Sequence, residues 1–182
     1  MHRHITSVLF AFSTQVLLTA QAAEALPDVQ RFHQYTPMLA SSGQPKRAQF
    51  QAIAAAGYKV VINLVAPEQN PEAVRDEKQA VEAAGMEYHY FPLGWDKPDA
   101  KRVVEVLRLL DTLKEKPVLV HCWVNSRASL VAYLYRSTSG QVEDADEKAV
   151  MTKIWKQNRG YEFENSGQWQ LLVEDAKVLL KK

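Results

Sequence analysis

The residues best suited to chemistry lie in one short peptide. The only cysteine, Cys122, follows an apolar, β-branched run, and Arg127 comes four intervening residues later at the start of a stretch that can form a helix. A thiolate is a nucleophile at neutral pH only where positive charge or a helix N-terminus lowers its pKa from about 8.5 to roughly 3.5–7.5. Backbone N–H groups at a loop-to-helix junction bind anions, and an arginine fork holds an oxyanion bidentately. The peptide therefore predicts a nucleophile seated in an anion-binding loop.

Strands alternate with helices along the chain. Helical or strand periodicity and turn residues predict strands at 38–41, 59–64, 87–91 and 118–121, and helices at 45–56, 72–84, 99–113, 128–137, 142–156 and 167–180. This alternation predicts an α/β domain with a mainly parallel central sheet flanked by helices, and a helical C-terminal part. Ligands of such sheets bind beyond the carboxyl ends of the strands, where Cys122 falls.

The loop from Cys122 to Arg127 resembles the signature loop of the cysteine-dependent dual-specificity and tyrosine phosphatase superfamily. That superfamily usually has five residues between the two, with a glycine among them, whereas this chain has four and no glycine: Trp123, Val124, Asn125 and Ser126. The shorter loop, with His121 before the cysteine, resembles a bacterial branch, the phosphatase-like domains related to beta-lactamase-hydrolase-associated phosphatases. That branch commonly has glycine at the position of Asn125, and asparagine is the residue other than glycine that best tolerates left-handed geometry.

The resemblance extends from about residue 35 to residue 136, because Ser42-Gly43-Gln44-Pro45 and the segment 57–64 also match the branch. It implies a dual-specificity-phosphatase-like fold and hydrolysis of phosphate monoesters, including phosphotyrosine or phosphoserine, through a phosphocysteine on Cys122. No spacing of Cys, His and Asp residues in the sequence suggests a metal site, and no cofactor is expected. The resemblance also implies phosphate binding by the loop and the helix start: Trp123, Val124, Asn125, Ser126, Arg127 and Ala128.

One departure concerns the residue after the arginine. The superfamily usually has Ser or Thr there, which helps the thiolate to leave, and this chain has Ala128. Ser126 or Ser129 is the available replacement. His121, at the end of a buried strand, is expected to orient the loop through hydrogen bonds rather than to ionise as a catalyst.

Cleavage of a phosphate monoester by a thiolate also needs a general acid, which later serves as the base for water attack. The segment 92–100, between a predicted strand and a predicted helix, contains Asp96 and Asp99. Asp96 lies 26 residues before Cys122, a separation similar to that of small dual-specificity phosphatases, and Trp95-Asp96 with Pro98 resembles their tryptophan–proline–aspartate loop in another order. Asp99 immediately precedes the helix, as an N-cap does. Asp96 is therefore predicted to be the acid, with Asp99 as the alternative.

The N-terminal residues predict export. Arg3 precedes an apolar segment at 5–20, and small residues follow at 20 and 22. This pattern is typical of a secretory signal peptide, and the segment is too short and polar for a membrane span. The prediction is a signal peptide at 1–22, a single phosphatase-like domain at 23–182, and a periplasmic or secreted protein with no stable membrane insertion after cleavage. One cysteine in such a protein cannot form an intramolecular disulfide, which favours a reactive thiol.

Composition limits the partners. A net charge of +1 over 182 residues gives no large basic field, so binding to nucleic acid through bulk charge is not expected. The expected partner is a phosphorylated protein or small molecule. Two other functions remain open: a rhodanese-like sulfurtransferase, whose active loops often have the same spacing, and a non-catalytic phosphate- or anion-binding module, suggested by the absence of a loop glycine. His121 and the Trp95-Asp96 loop weigh against sulfur transfer.

Overall fold

The structure is a computed structural model, and it describes residues 29–68, 75–140, 142–158, 160 and 162–181. The predicted signal peptide at 1–22 lies outside the described residues. The strands are β1 (His33–Thr36), β2 (Leu39–Ser42), β3 (Val60–Asn63), β4 (Glu87–Tyr90) and β5 (Val118–His121). The α-helices are α1 (Phe50–Ala55), α2 (Glu77–Ala83), α3 (Ala100–Thr112), α4 (Ser126–Thr138), α5 (Asp144–Lys156) and α6 (Gly167–Leu180), with short 3-10 helices at Arg47–Gln49 and Phe163–Asn165.

The five strands form one sheet in the order β1-β2-β5-β3-β4. All pairs are parallel except β1 with β2, so the predicted α/β class with a mainly parallel sheet is confirmed. β5 lies in the middle, and all four of its residues are buried. That position explains its continuous apolar sequence, since a central parallel strand is covered on both faces.

Successive residues of the sheet point into two different cores, as the period of two along a strand requires. Val118 and Val120 pack into the larger core with residues of α3, α4, α5 and α6. Leu119, between them, packs into the smaller core with Phe50 and Ile53 of α1. Helices therefore cover both faces of the sheet.

The predicted elements differ from the observed ones mainly at their ends. The helix predicted at 45–56 is a 3-10 turn followed by α1, and α4 begins at Ser126, two residues earlier than predicted. The helix predicted at 72–84 corresponds to α2 in its described part. β1 was not predicted, because its residues are half-buried and its sequence has no apolar alternation.

Candidate active site

The loop that carries Cys122 lies at the edge of the sheet where the parallel strands end together. His121, the last residue of β5, is in register with Ser42 at the end of β2 and with Asn63 at the end of β3. Asn63 is in turn in register with Tyr90 at the end of β4. The loops that follow these four strands therefore meet around one point, as predicted for a ligand site of such a sheet.

A cavity of about 860 Å³ opens at this point. Its wall combines residues from the loop after β5, from the loops after β3 and β4, from the segment before β1 and from the residues after α5: Cys122, Trp123, Val124, Ser126, Arg127, Glu68, Gly94, Trp95, Asp96, Lys97, Arg31 and Asn158. Of the residues predicted to form the site, Asn125 and Ala128 are buried and do not line the cavity.

Cys122 is a free thiol that lines the cavity although only 1% of its surface is exposed. Its backbone N–H donates to the carbonyl of Ser42 at 3.2 Å, which fixes the loop to the end of β2. A thiol held this way reaches solvent only through the cavity. Any reaction partner must therefore enter there.

The start of α4 supplies backbone donors to the same place. Asn125 has a left-handed backbone with φ of 68°, which confirms that asparagine meets the geometry expected of this loop position. Immediately after it, the backbone N–H groups of Ser126, Arg127 and Ala128 have no acceptor within the described part of the chain. Such orphan donors at a first helical turn, together with the positive end of the helix dipole, bind anions.

Residues of α5 and those just after it hold this loop from behind. Trp155 Nε1 donates to the carbonyl of Ser126 at 2.7 Å. Asn158 Nδ2 donates to the carbonyl of Val124 at 3.2 Å and to the Ser126 hydroxyl at 3.0 Å. Trp155 is completely buried in the larger core. The role of Asn158 was not predicted, since nothing in the sequence links it to a loop 32 residues away.

Arg127 is 1% exposed, and two carbonyls set its orientation. Nη1 donates to Leu64 at 3.2 Å and to Leu93 at 2.5 Å, which belong to the loops after β3 and β4. Within the described residues, Nε and Nη2 have no partner. One edge of the guanidinium is thus tied to the protein, and its other donors remain for a ligand in the cavity, the geometry needed for bidentate binding of an oxyanion.

His121 is completely buried and pairs with a carboxylate that was not predicted. Its Nε2 lies 2.8 Å from Oε1 of Glu77, and the other carboxylate oxygen accepts a hydrogen bond from Gln44. The pairing fits the expected orienting role of His121. Glu77 lies 44 residues away on α2, so no local sequence signal could reveal it.

The two aspartates of the loop after β4 have different surroundings. Asp96 is exposed and lines the cavity. Asp99 Oδ1 accepts a hydrogen bond from the N–H of Lys101 at 2.8 Å, which confirms Asp99 as the N-cap of α3. Trp95, beside Asp96, packs against Trp155 and Trp169 with ring centroids 5.7 and 5.2 Å apart. The aromatic contacts attach this loop to the C-terminal helices.

A second carboxylate of the cavity, Glu68, was not predicted. It belongs to the loop after β3. Burial raises the pKa of the nearby Tyr90 hydroxyl, and the negative charges of Glu68 and Glu77 raise it further. No local sequence pattern indicates a role for Glu68, because folding of the loop after β3 brings it to the cavity.

The two serines offered as replacements for the missing hydroxyl after Arg127 are not equivalent. The Ser129 hydroxyl donates to the carbonyl of Ser126 at 3.0 Å and does not line the cavity. Ser126 does line the cavity. Of the two serines, Ser126 is therefore the one placed at the cavity.

Within the described residues, no group of three or more His, Cys, Asp or Glu side chains is arranged to hold a metal ion. No helix of that part is long and apolar enough to cross a membrane.

The fold and this site define a phosphatase-like α/β domain, and comparison with known proteins specifies the family. The family described as the phosphatase-like domain of beta-lactamase hydrolase-like protein matches residues 31–139. The chain belongs to this family. The match agrees with the resemblance predicted from the sequence over about residues 35 to 136.

Similar proteins agree with this assignment. A candidate phosphatase (DUF442) from Shewanella putrefaciens CN-32 is 34% identical with a TM-score of 0.72, over 87% of this chain and 96% of that one. TpbA of P. aeruginosa, at 19% identity and a TM-score of 0.62 over 84% of this chain and 92% of that one, shares the fold. A beta-lactamase hydrolase-like protein from Agrobacterium fabrum is 28% identical over 59% of this chain and 25% of the relative. The chain spans about a quarter of the length of such curated relatives.

Proposed function

We propose that the protein hydrolyses phosphate monoesters, of the phosphotyrosine or phosphoserine kind among others, through a phosphocysteine on Cys122. The observation that carries the proposal is the meeting of the Cys122 thiol, the free edge of Arg127 and the orphan N–H groups of α4 at one cavity. A cysteine-to-serine variant of TpbA has been solved in complex with phosphotyrosine, which supports a phosphorylated substrate for a related fold.

In the proposed first step, the phosphoryl oxygens bind to the N–H groups of residues 126–128 and to Arg127. The Cys122 thiolate attacks phosphorus, an S–P bond forms, and the bond from phosphorus to the ester oxygen breaks. Asp96 donates its proton to the leaving oxygen. The arrangement supplies charge stabilisation from fixed donors where charge develops, which is the main source of catalysis in such transfers.

In the second step, water attacks phosphorus, the S–P bond breaks, and phosphate and the thiolate are released. Asp96, now ionised, takes the proton of the water, since the acid of the first step is the base of the second. The Ser126 hydroxyl is the proposed donor to the departing thiolate. Asp96 is preferred to Asp99 for proton transfer because the Asp99 carboxylate is engaged at the start of α3.

The buried pair of His121 and Glu77 has a positioning role in this proposal. It joins the residue before the nucleophile to α2 and, through Gln44, to the segment after β2. The imidazole is thereby held in one orientation. Neither side chain is proposed to touch the substrate.

Turnover measurements separate this function from the two alternatives. The residue 23–182 protein, kept reduced, is assayed with para-nitrophenyl phosphate and, separately, with thiosulfate and cyanide, and Cys122→Ser is the matched control. The proposal expects phosphate release that depends on Cys122 and no thiocyanate. Thiocyanate formation would establish sulfur transfer instead. Vanadate binding without either turnover would establish an anion-binding module.

We further propose that residues 1–22 are a signal peptide and that the protein acts in the periplasm or outside the cell. The sequence pattern of a basic start, an apolar segment and small residues supports this. Expression of the full chain in a bacterium, followed by fractionation and N-terminal sequencing, tests it. A mature protein beginning near Ala23 in the periplasmic fraction is expected, and an uncleaved cytoplasmic protein would contradict the proposal.

A further inference from the structure

A second arginine reaches the cavity from outside the catalytic loop. Arg31 lies just before β1, and it lines the cavity together with Cys122 and Arg127. The proposed reaction assigns no role to Arg31, since the backbone donors of α4 and Arg127 already bind the scissile phosphate. The positive charge of Arg31 at the cavity is therefore expected to have a different function.

The backbone at Arg31 is constrained. Its φ is 50°, in the left-handed region that residues other than glycine rarely adopt. Its carbonyl accepts a hydrogen bond from Asn125 Nδ2 at 2.6 Å, so the catalytic loop itself holds the segment. Strained conformations of this kind persist where the surroundings fix them, and they cluster at binding sites.

The guanidinium of Arg31 is fixed but incompletely paired. Nη2 donates to the carbonyl of Gln157 at 3.3 Å. Nη1 is buried and has no hydrogen-bond partner, and none of the described carboxylates forms an ion pair with this side chain. The positive charge of Arg31 therefore lies at the cavity without a carboxylate partner, and such an uncompensated charge favours an anionic ligand there.

Asn125 explains how this position is coupled to the reacting loop. Glycine would adopt the left-handed backbone at residue 125 at least as easily. Only a side chain with a donor can also hold the carbonyl of Arg31. The asparagine therefore couples the phosphate-binding loop to the second arginine.

We propose that Arg31 binds a second anionic group of the substrate. The preferred substrates are then phosphate monoesters that carry a carboxylate or another phosphate beside the scissile one. This inference rests on the proposed function of the same cavity. The carboxylates of Glu68 and Asp96 also line the cavity, and they repel anions from their part of it. A second anion is therefore expected to bind next to Arg31. The other cation of the lining outside the catalytic loop, Lys97, is exposed.

Matched substrates test the proposal. The value of kcat/KM is measured for para-carboxymethylphenyl phosphate and for its methyl ester, whose leaving groups are similar while one side group is charged and the other neutral. A hydrogen-bonded charge pair predicts about a tenfold to hundredfold preference for the acid in the wild type. A phosphonomethyl analogue shows whether a dianion is preferred to a carboxylate.

Variants assign the preference to Arg31. Arg31→Gln should abolish it, Arg31→Lys should retain part of it, and Asn125→Gly should reduce it by misplacing Arg31. Arg108→Gln, which removes an exposed cation outside the cavity, is the control and should keep the full preference. A wild type without preference, or an unchanged preference in Arg31→Gln, would overturn the proposal.

A binding measurement distinguishes this inference from the function on which it rests. Calorimetric titration of the Cys122→Ser protein with the same two esters gives the ratio of their dissociation constants without turnover. If that ratio keeps the preference for the acid and Arg31→Gln removes it while the wild type hydrolyses neither ester, the phosphocysteine mechanism fails and the second anion site stands. Equal dissociation constants for the two esters would remove the site.

Discussion

The loops after β5 and after β4 meet at the same cavity but are built differently. In the loop after β5, Cys122 and Asn125 are buried. Ser42, Trp155 and Asn158 hold this loop and the start of α4 through hydrogen bonds from separate parts of the chain. The loop after β4 is also anchored, since its Leu93 carbonyl accepts a hydrogen bond from Arg127 and its Trp95 ring packs against Trp155 and Trp169, but it presents an exposed Asp96. The groups that bind charge are fixed before a ligand arrives, whereas the proposed proton donor stands at the solvent side.

This difference matches what each task requires. Stabilisation of a transition-state charge is effective only when the donors are already oriented, because reorientation during the reaction costs free energy. Proton transfer needs a carboxyl group that can exchange its proton with water between the two steps. The contrast therefore predicts separate consequences for changes in the two loops.

The largest effect is expected for Cys122→Ser. A serine hydroxyl is not ionised at neutral pH and cannot replace the thiolate, so phosphatase turnover should fall to the background rate. Vanadate binding and the unfolding temperature should stay near the wild-type values, because the N–H groups of α4 and Arg127 are retained. Hydrolysis of a phosphomonoester by this variant at the wild-type rate would remove Cys122 from the mechanism.

Asp96→Asn tests the loop after β4 and should depend on the leaving group. An alkoxide needs a proton far more than a phenolate of low pKa, so phosphoryl transfer from an alkyl phosphate to Cys122 should slow by about 10²–10⁴-fold and transfer from an activated aryl phosphate much less, measured as the first burst of leaving group before steady state. Asp99→Asn is the matched control, since asparagine caps a helix about as well as aspartate. If the Asp99 variant loses activity and the Asp96 variant keeps it, the acid lies three residues further along.

Arg127→Lys tests the fixed donors of the loop after β5. Lysine keeps the positive charge but loses the planar fork and its two carbonyl contacts, so kcat should fall by about 10²–10³-fold. Vanadate should bind this variant more weakly than the wild type in a competition assay. Equal vanadate affinity in both proteins would place Arg127 outside the anion site.

Trp155→Phe tests the support behind the loop. Phenylalanine keeps most of the buried volume but cannot donate to the Ser126 carbonyl, so the free energy of unfolding should fall by about 1–3 kcal/mol, with a loss of kcat. Trp169→Phe is a sharp control, because the buried Nε1 of Trp169 has no hydrogen-bond partner in the described structure. Urea unfolding should show the smaller loss for Trp169→Phe; the reverse order would contradict the proposed support.

The smallest effect is expected outside both loops, at Asp144. A hydrogen bond from Lys177 is the main cause that holds the Asp144 pKa below its usual value. A carboxyl with a depressed folded pKa stabilises the protein above its unfolded pKa of about 3.9 and loses that contribution as the pH falls through the folded value. Asp144→Asn should therefore cost about 0–1 kcal/mol at pH 7 and nothing in strong acid, with unchanged turnover. A change in kcat would contradict the separation of this region from the cavity.

The sequence predicted the parts of the site that are contiguous in the chain. The strand before Cys122, the loop, the left-handed Asn125 and the helix that follows depend on neighbouring residues and were recognised from them. Arg31, Glu68, Glu77 and Asn158 were not, because each reaches the site through a separate loop or helix and none belongs to a local pattern. β1 was missed for a related reason: its pairing with β2, rather than its own sequence, makes it a strand.

The central claim is that the phosphoryl group is transferred to Cys122 before water releases it. Trapping this phosphocysteine tests the claim most directly. Asp96→Asn should still transfer phosphate from an activated aryl ester, since that leaving group needs little protonation, but should lack the base for the second step. Mass spectrometry of this variant, quenched in acid during turnover, should show one phosphoryl group on the peptide that contains Cys122. An unmodified Cys122 throughout turnover, or a phosphoryl group on another residue, would contradict the mechanism.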